Sequence, residues 1–246
     1  QIYQNAEEFY RAENGHAIGY FWGYKTAGIF QNQQDINNWI AAGNGVMQSN
    51  VQPGDVKYID INHDGAINAN DKVDLGNGLP KYTFGLNFSL GYKGFDLSAN
   101  FTGAAGFQIA QSYRDPSSSQ ANYSRRILNR WTGEGTSNEI PRVTYGDVGN
   151  WLFSDLYLQD GDYIRLQNLT LGYDFKKLIA WKGLSKLRLY FQVQNLFTLT
   201  KYDGMDPEIG SFNGTDGNSS DSWVSGVDMG YYPHPRTFIV GLNLAF

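Results

Sequence analysis

The stretch from Arg236 to Phe246 reads R-T-F-I-V-G-L-N-L-A-F, and large apolar residues occupy every second position from Phe238 onward. A period of two is typical of a β-strand whose two faces meet different surroundings. At a tilt of about 40°, eleven residues rise about 27 Å, close to the apolar band of about 25 Å on an outer-membrane barrel. The stretch therefore predicts a lipid-facing strand.

Four earlier segments share this alternation, which is unbroken from Tyr82 to Tyr92. Lys93 and Gly94 follow as a tight turn and predict a hairpin. In the third segment the apolar residues change parity, which indicates a β-bulge near Gln167 and Asn168. The five predicted strands are 82–92, 95–107, 163–175, 186–199 and 236–246.

The connections between these strands are alternately short and long, and the long ones are 108–162 and 200–235. Outer-membrane barrels have short periplasmic turns and long extracellular loops. The order therefore predicts that Phe246 lies at the periplasmic rim and that the long loops face outside. Residues 1–81 are predicted as the end of a preceding strand plus a large extracellular loop, and 82–246 as barrel strands with their loops.

Five strands are too few to close a membrane barrel, since the smallest has eight and an open edge in lipid leaves backbone groups without partners. We therefore expect the remaining strands in another chain or in a longer polypeptide. Residues 1–5 show no secretory signal, which also favours a chain that is part of something larger.

Composition excludes several classes of protein. No run of eighteen apolar residues predicts a transmembrane helix. The absence of Cys excludes disulfides and cysteine zinc sites. A net charge of -5 without basic clusters argues against nucleic acid as a partner. Three histidines and no nucleophile motif favour a protein that is not an enzyme.

Residues 60–71 read D-I-N-H-D-G-A-I-N-A-N-D and match the twelve-residue calcium loop. The pattern needs oxygen ligands around a turn that pivots on the glycine at position six, here Gly65. A short Asp71 stands where Glu is usual, so we expect weaker binding or an intervening water. The alternative is an Asn- and Asp-rich turn without a metal. The predicted Ca²⁺ ligands are Asp60, Asn62, Asp64, the Ala66 carbonyl, Asn68 and Asp71.

Aromatic residues of the long loops are candidates for stacking on sugar rings or for anchoring a partner protein. The alternative is that they belong to the interfacial girdle or pack within the loops. The candidates are Trp131, Tyr145, Trp151, Trp223, Tyr231 and Tyr232.

Five segments together resemble the C-terminal part of SusC/RagA-type TonB-dependent outer-membrane transporters. They are Ile18–Gln31 (I-G-Y-F-W-G-Y-K-T-A-G-I-F-Q), Pro53–Asp60 (P-G-D-V-K-Y-I-D), Asn62–Gly65, Tyr163–Tyr173 (Y-I-R-L-Q-N-L-T-L-G-Y) and the tail from Pro235 to Phe246. The resemblance covers nearly the whole chain.

This resemblance implies an all-β fold, in which the chain supplies the last five strands of a 22-stranded barrel with long extracellular loops. It implies import across the outer membrane of oligosaccharides or peptides, beneath a SusD-like surface lipoprotein. TonB would supply the energy through an N-terminal region and plug that this chain lacks, and Phe246 would be the signal read by the assembly machinery.

Two other functions remain open from the residues. The first is a secreted β-sandwich that binds glycan through surface aromatics and is stabilised by calcium. The second is a passive porin without energy coupling. A sandwich would bury the apolar strand faces against a second sheet, whereas a barrel would expose them to lipid.

Overall fold

The computed structural model describes residues 9–111, 125–144, 149–179, 181–210 and 225–246. The described residues form mainly strands, with one α-helix, α1 (Gln33–Ala41), and a few short 3-10 turns. No described helix is long and apolar enough to cross a membrane. The strands are β1 (Tyr10–Arg11), β2 (Tyr20–Tyr24), β3 (Thr26–Ile29), β4 (Val56–Tyr58), β5 (Lys72–Asn77), β6 (Tyr82–Tyr92), β7 (Phe95–Ala105), β8 (Gln108–Gln111), β9 (Leu158–Asp160), β10 (Tyr163–Asp174), β11 (Lys186–Thr200), β12 (Val227–Asp228) and β13 (Thr237–Ala245).

The chain divides into two compact units. The strand unit contains Pro80–Phe107, Asp160–Glu208 and Tyr231–Phe246. The loop unit contains Gln1–Leu79, Gln108–Gln159 and Ile209–Gly230. Each unit is therefore built from three segments that are far apart in sequence.

The strand unit is built on one antiparallel sheet with the order β13-β11-β10-β7-β6. The hairpin between β6 and β7 turns on Lys93 and Gly94, whose φ angles of 47° and 98° are both positive. Two positive φ angles are the mark of a type I′ turn, which suits the twist of the paired strands. The sheet uses the five predicted strands, and their ends agree with the sequence-based bounds to within two residues.

The predicted bulge is confirmed. The register of β10 against both neighbouring strands shifts between Leu166 and Asn168. On β11 the matching irregularity contains Asn195, whose φ is 51°. The extra residue restores the alternation, so the apolar side chains before and after it lie on the same face of the sheet.

The two faces of this sheet differ in chemistry as the alternation predicts. Five apolar side chains on one face are 43–55% exposed, whereas a β-sandwich would bury them against a second sheet. Their exposure therefore disagrees with the sandwich alternative. The five residues are Phe84, Phe88, Leu171, Leu189 and Leu242.

The loop unit has its own hydrophobic core and three small sheets, with the orders β1-β2-β5, β3-β4 and β12-β8-β9. The aromatic sequence of β2 places Phe21 in one core cluster and Tyr24 in another. Between them, Gly23 allows a close approach of the backbone, because a Cβ at this position would lie 2.6 Å from the carbonyl oxygen of Phe153. The Tyr24 N–H donates to that same carbonyl at 3.0 Å.

Helix α1 begins and ends where its sequence favours it. The side chain of Asn32 caps the first turn by accepting from the backbone N–H of Asp35. Ile36 is the residue that the helix buries, and Gly43 follows the helix with a φ of 86°. Ala42 is the C-cap of the helix.

Candidate functional site

The predicted calcium loop is folded as a closed turn. Asp60 is buried, and its carboxylate accepts from the backbone N–H groups of His63 and Gly65, both at 2.7 Å. Gly65 has a φ of 82°, which an L-residue adopts only with strain. Asp71 is fully buried and accepts from Ile61 N at 3.0 Å and Asn68 N at 2.7 Å. The two end carboxylates therefore draw the backbone into a ring.

The side chains around this ring offer the oxygen donors that a hard cation needs. The Asp64 carboxylate accepts from the backbone of Ala66, and this bond, with a further one from Asn62, lowers the pKa of Asp64. Asn62 and Asn68 turn their amide nitrogens towards Asp64 Oδ2 and the Ala66 carbonyl, at 2.9 Å and 3.3 Å. The amide hydrogens thus satisfy the oxygens that the sequence assigned to calcium.

The residues fit calcium by donor type. Their present spacing is that of a hydrogen-bonded turn, because Asp60, Asp64 and Asp71 do not bring three carboxylate oxygens within 4.8 Å of one another. Among the described residues, that spacing is met by Asp206, Glu208 and His234. An ion in the loop would require the Asn62 and Asn68 amides to rotate, so that their oxygens replace the nitrogens.

The polar face of the strand unit carries a ladder of amides and one ion pair. Asn100 donates to Asn87 across β7 and β6, and Gln192 donates to Asn168 across β11 and β10 at 3.2 Å. Arg188 binds both oxygens of Asp96, with distances of 2.8 Å and 2.5 Å. This pair spans β10, so three strands are tied together by side chains on the polar face.

Gly172 makes this bridge possible, and replacing it with Ala is expected to destabilise the strand unit by about 1–3 kcal/mol through overpacking. A Cβ there would lie 2.5 Å from two guanidinium nitrogens of Arg188 and 2.6 Å from Asp96 Oδ1. Hydrogen exchange of the β10 and β11 amides in the full-length protein would measure the loss. Gly85→Ala is the matched control on the same face, since its nearest neighbouring atom is 3.7 Å away. Equal losses of stability in the Gly172→Ala and Gly85→Ala variants would contradict the role given to Gly172.

A second ionic cluster joins β10 to the residues that follow β11 and precede β13. Arg165 is almost completely buried and contacts Asp206 at 2.5 Å and Glu208 at 2.8 Å. The ring of His234 contacts Asp206 Oδ2 at 2.9 Å. Burial acts to raise the pKa of Asp206, but hydrogen bonds from the Glu208 backbone, from His234 and from Arg165 outweigh it and lower that pKa.

This Arg165 cluster borders a cavity of about 220 Å³ whose lining includes Asn195 and Arg236. The guanidinium already lies between the two carboxylates, which favours a charge-paired anchor for the chain over a metal site. No local sequence pattern predicts the cluster, because Arg165 is 41 residues from Asp206 and 43 from Glu208. The available signal was Arg165 itself, a charged residue between the apolar Ile164 and Leu166.

The loop unit contains a buried polar network that the sequence also did not predict. Asp55 is fully buried and accepts from Arg142 Nε at 2.6 Å and from Asn150 Nδ2 at 2.8 Å. Asn150 Oδ1 in turn accepts from the Val56 N–H and from Gln48 Nε2, both at 3.0 Å. The network therefore joins the first connection, residues 1–79, to the second, residues 108–159.

The candidate loop aromatics have different surroundings. Trp131 packs close to Gly54, where a Cβ would lie 2.6 Å from its ring. Tyr231 and Tyr232 are exposed at 37% and 87%. Trp151 is partly buried in the loop unit. Tyr145 and Trp223 lie outside the described residues. Packing within the loops therefore accounts for Trp131, whereas Tyr232 is free to meet a ligand.

Comparison with known proteins identifies curated relatives of this chain. No protein-family model matches the chain. TonB-dependent receptor P3 of Formosa agariphila is 34% identical over 94% of this chain, and TonB-dependent receptor SusC of Bacteroides thetaiotaomicron is 30% identical over 82% of it. The chain is homologous to part of the SusC-type TonB-dependent receptors. It spans 22% of the length of P3 and 18% of SusC.

The fold of this chain is also found in a solved structure of the RagAB peptide transporter. A chain of that structure matches with a TM-score of 0.64 and 21% sequence identity, over 97% of this chain and 25% of that chain. At this identity the match shows the fold alone. The curated relatives confirm the resemblance stated from the motifs. The strand content and the fold match confirm the all-β assignment.

Proposed function

We propose that the chain is part of an outer-membrane transporter that imports oligosaccharides or peptides with energy supplied through TonB. The observation that carries the proposal is the sheet of the strand unit, which exposes a continuous apolar face and lines the other face with amides and an ion pair. Such a division suits strands between lipid and a polar lumen. The homology to TonB-dependent receptors supports it.

The proposed arrangement assigns a barrel partner to each edge of the sheet. Strands β6 and β13 are the edge strands. Because an unpaired edge is unfavourable in lipid, the remaining strands would pair with them and close the barrel around the plug. Phe246 would lie at the periplasmic rim as the assembly signal. The long connections would face the outside beneath a SusD-like lipoprotein. The proposed role is transport and not catalysis.

Residues 60–71 are proposed to bind calcium as a clamp that stiffens the loop unit. The ligands would be the six named from the sequence, among which Asp64 is exposed and has a lowered pKa, so that it is a carboxylate at neutral pH. When bound, the ion would cross-link oxygens that now accept amide hydrogens. The buried Asp60 and Asp71 would maintain the ring in either state.

Replacing Asp64 with Asn is expected to weaken calcium binding about tenfold or more, because ligand charge sets the affinity of such loops. The change leaves the fold intact, since Asn can still accept from the Ala66 N–H. Calorimetric titration of the full-length protein would measure the affinity, with Glu139→Gln on the exposed surface of the loop unit as control. Chelator should speed proteolysis within residues 60–71, and cleavage at the same rate with and without it would contradict the clamp.

The transport proposal is tested by uptake in whole cells. Cells that lack the complete gene should fail to take up one class of labelled oligosaccharides or peptides, and cells that lack TonB should fail likewise. The two panels separate glycan from peptide substrates. Uptake that persists without TonB would favour the passive porin, and unchanged uptake of every compound in the deletion strain would overturn the proposal.

A further inference from the structure

The short connections of the strand unit bring lysines from three segments to one end of the sheet. The turn at Lys93 lies beside the end of β10, because the Asp174 N–H donates to the Gly94 carbonyl at 2.8 Å. The connection from β10 to β11 carries Lys176 and Lys182, and Lys186 pairs with Ala245 in β13. The sequence shows no basic run, so only the register assembles these charges.

Two acids, Asp96 and Asp174, lie at this end, and they are fewer than its bases. Among the described residues, Lys93, Lys182 and Lys186 are exposed and form no ion pair. The neighbouring Asp96 is occupied by Arg188, and the Asp174 carboxylate caps the 3-10 turn by accepting from the Lys176 N–H. This end of the sheet therefore presents a net positive surface, which we call the lysine rim.

Exposed aromatic rings accompany the lysine rim. Trp181 is 59% exposed, and its ring lies 6.2 Å from that of Phe246, which is 82% exposed. Lys176 Nζ donates to the Trp181 carbonyl at 2.7 Å and fixes the turn that carries this ring. Lys93 Nζ lies 5.2 Å above the ring of Tyr92. Amphipathic rings beside cations are typical of a membrane–water interface, where the ring lies among headgroups.

The opposite end of the same sheet provides a comparison within the molecule. It also exposes aromatic rings, among them Tyr82. Its charges, however, are mixed, with five acids and four bases. The charged residues at that end are Lys81, Asp160, Asp162, Arg165, Lys201, Asp203, Asp206, Glu208 and Arg236. Aromatics thus mark both ends of the strands, and an excess of positive charge marks the end with the short turns.

We infer that the lysine rim binds the headgroups of anionic phospholipids in the leaflet that the short turns reach. This inference rests on the proposed membrane location of the strand unit. Exposed ammonium groups beside a bilayer attract phosphate-bearing lipids, and ionic strength screens the attraction. The surface combines unpaired cations with rings suited to the interface, and charge complementarity selects an anionic headgroup over a zwitterionic one.

Trp181 supplies a local probe for the test. The full-length protein is reconstituted in phosphatidylcholine vesicles that contain a fixed fraction of either brominated phosphatidylglycerol or brominated phosphatidylcholine, since bromine quenches nearby indoles. Subtracting the signal of a Trp181→Phe variant isolates this one ring from the other tryptophans. At low salt, quenching of Trp181 should be about twofold to fivefold stronger with the anionic lipid, because several lysines enrich it locally.

Two controls assign the preference to the lysine rim. The triple variant Lys93→Gln, Lys182→Gln, Lys186→Gln should quench equally with both lipids, whereas Lys81→Gln, Lys201→Gln, Arg236→Gln at the other end should retain the preference. High salt should remove the preference in the unmodified protein, which gives a measurement independent of any variant.

The outcomes separate the two proposals. Quenching by both lipids to the same extent at low salt would overturn the lipid preference and leave the membrane location standing. A preference that persists in the lysine triple variant would also overturn it. Absence of quenching by either lipid would refute the membrane location itself, and the inference about headgroups would fall with it.

Discussion

Replacing Asp55 with Ala is expected to destabilise the loop unit by about 3–5 kcal/mol, the cost of removing one partner of a buried ion pair. The carboxylate is fully buried, whereas Arg142 is 24% exposed. Its loss also leaves the Gln52 N–H and the Asn150 amide without their acceptor. The Asn150 amide is buried and has no other described acceptor, so it contributes a desolvation penalty.

Hydrogen exchange in the full-length protein is the suitable measurement, because a protein with several units does not unfold in one step. Protection should fall around residues 54–58, 142–144 and 149–150, while the amides of β10 and β11 keep theirs. Glu139→Ala removes an exposed carboxylate of the same unit and should change stability by less than about 0.5 kcal/mol. Unchanged protection near Val56 in the Asp55 variant would contradict the role given to this network.

Replacing Leu242 with Arg is expected to cost about 2–4 kcal/mol if the apolar face of β13 contacts the lipid interior, as we propose. Leu242 is 55% exposed and lies opposite Leu189 on the same face. A guanidinium there would have to be desolvated or would have to thin the bilayer around it. Denaturant unfolding of the full-length protein in vesicles would measure the difference.

Asn243→Arg is the matched control, because it places the same side chain one residue away on the polar face. It lies opposite Arg188, whose guanidinium is already paired with Asp96, so a small cross-strand repulsion of about 0.2–1 kcal/mol is expected. Equal costs for the two variants would contradict the assignment of the faces. A negligible cost for Leu242→Arg would argue against lipid contact at this strand.

The regular parts of the fold could be predicted because they depend on local periodicity. The hairpin at Lys93 and the bulge near Gln167 both follow from residues adjacent in sequence, and both are observed. The helix at Gln33 was recognisable in the same way. Strand ends were predicted to within one or two residues, since the terminal pairs of a strand are weakly specified.

The candidate site was only partly predictable. The ring of residues 60–71 follows from its own spacing, because its hydrogen bonds join residues at most ten apart. The side chains of the Arg165 cluster and of the Asp55 network contact residues that are 28 to 102 positions away, and no local pattern relates them. The lysine rim is similar, since its charges are scattered in the sequence and become neighbours only through strand register.

The sequence by itself therefore determined which residues form the five long strands and which face their side chains occupy, because alternation acts over neighbouring residues. It also determined the family resemblance, through motifs that are contiguous. Only the tertiary structure decided which charges meet, because side-chain contacts depend on strand order and register. The long connections are a second example. Asp55 and Arg142 form a pair because two loops that are far apart in sequence fold together into one core.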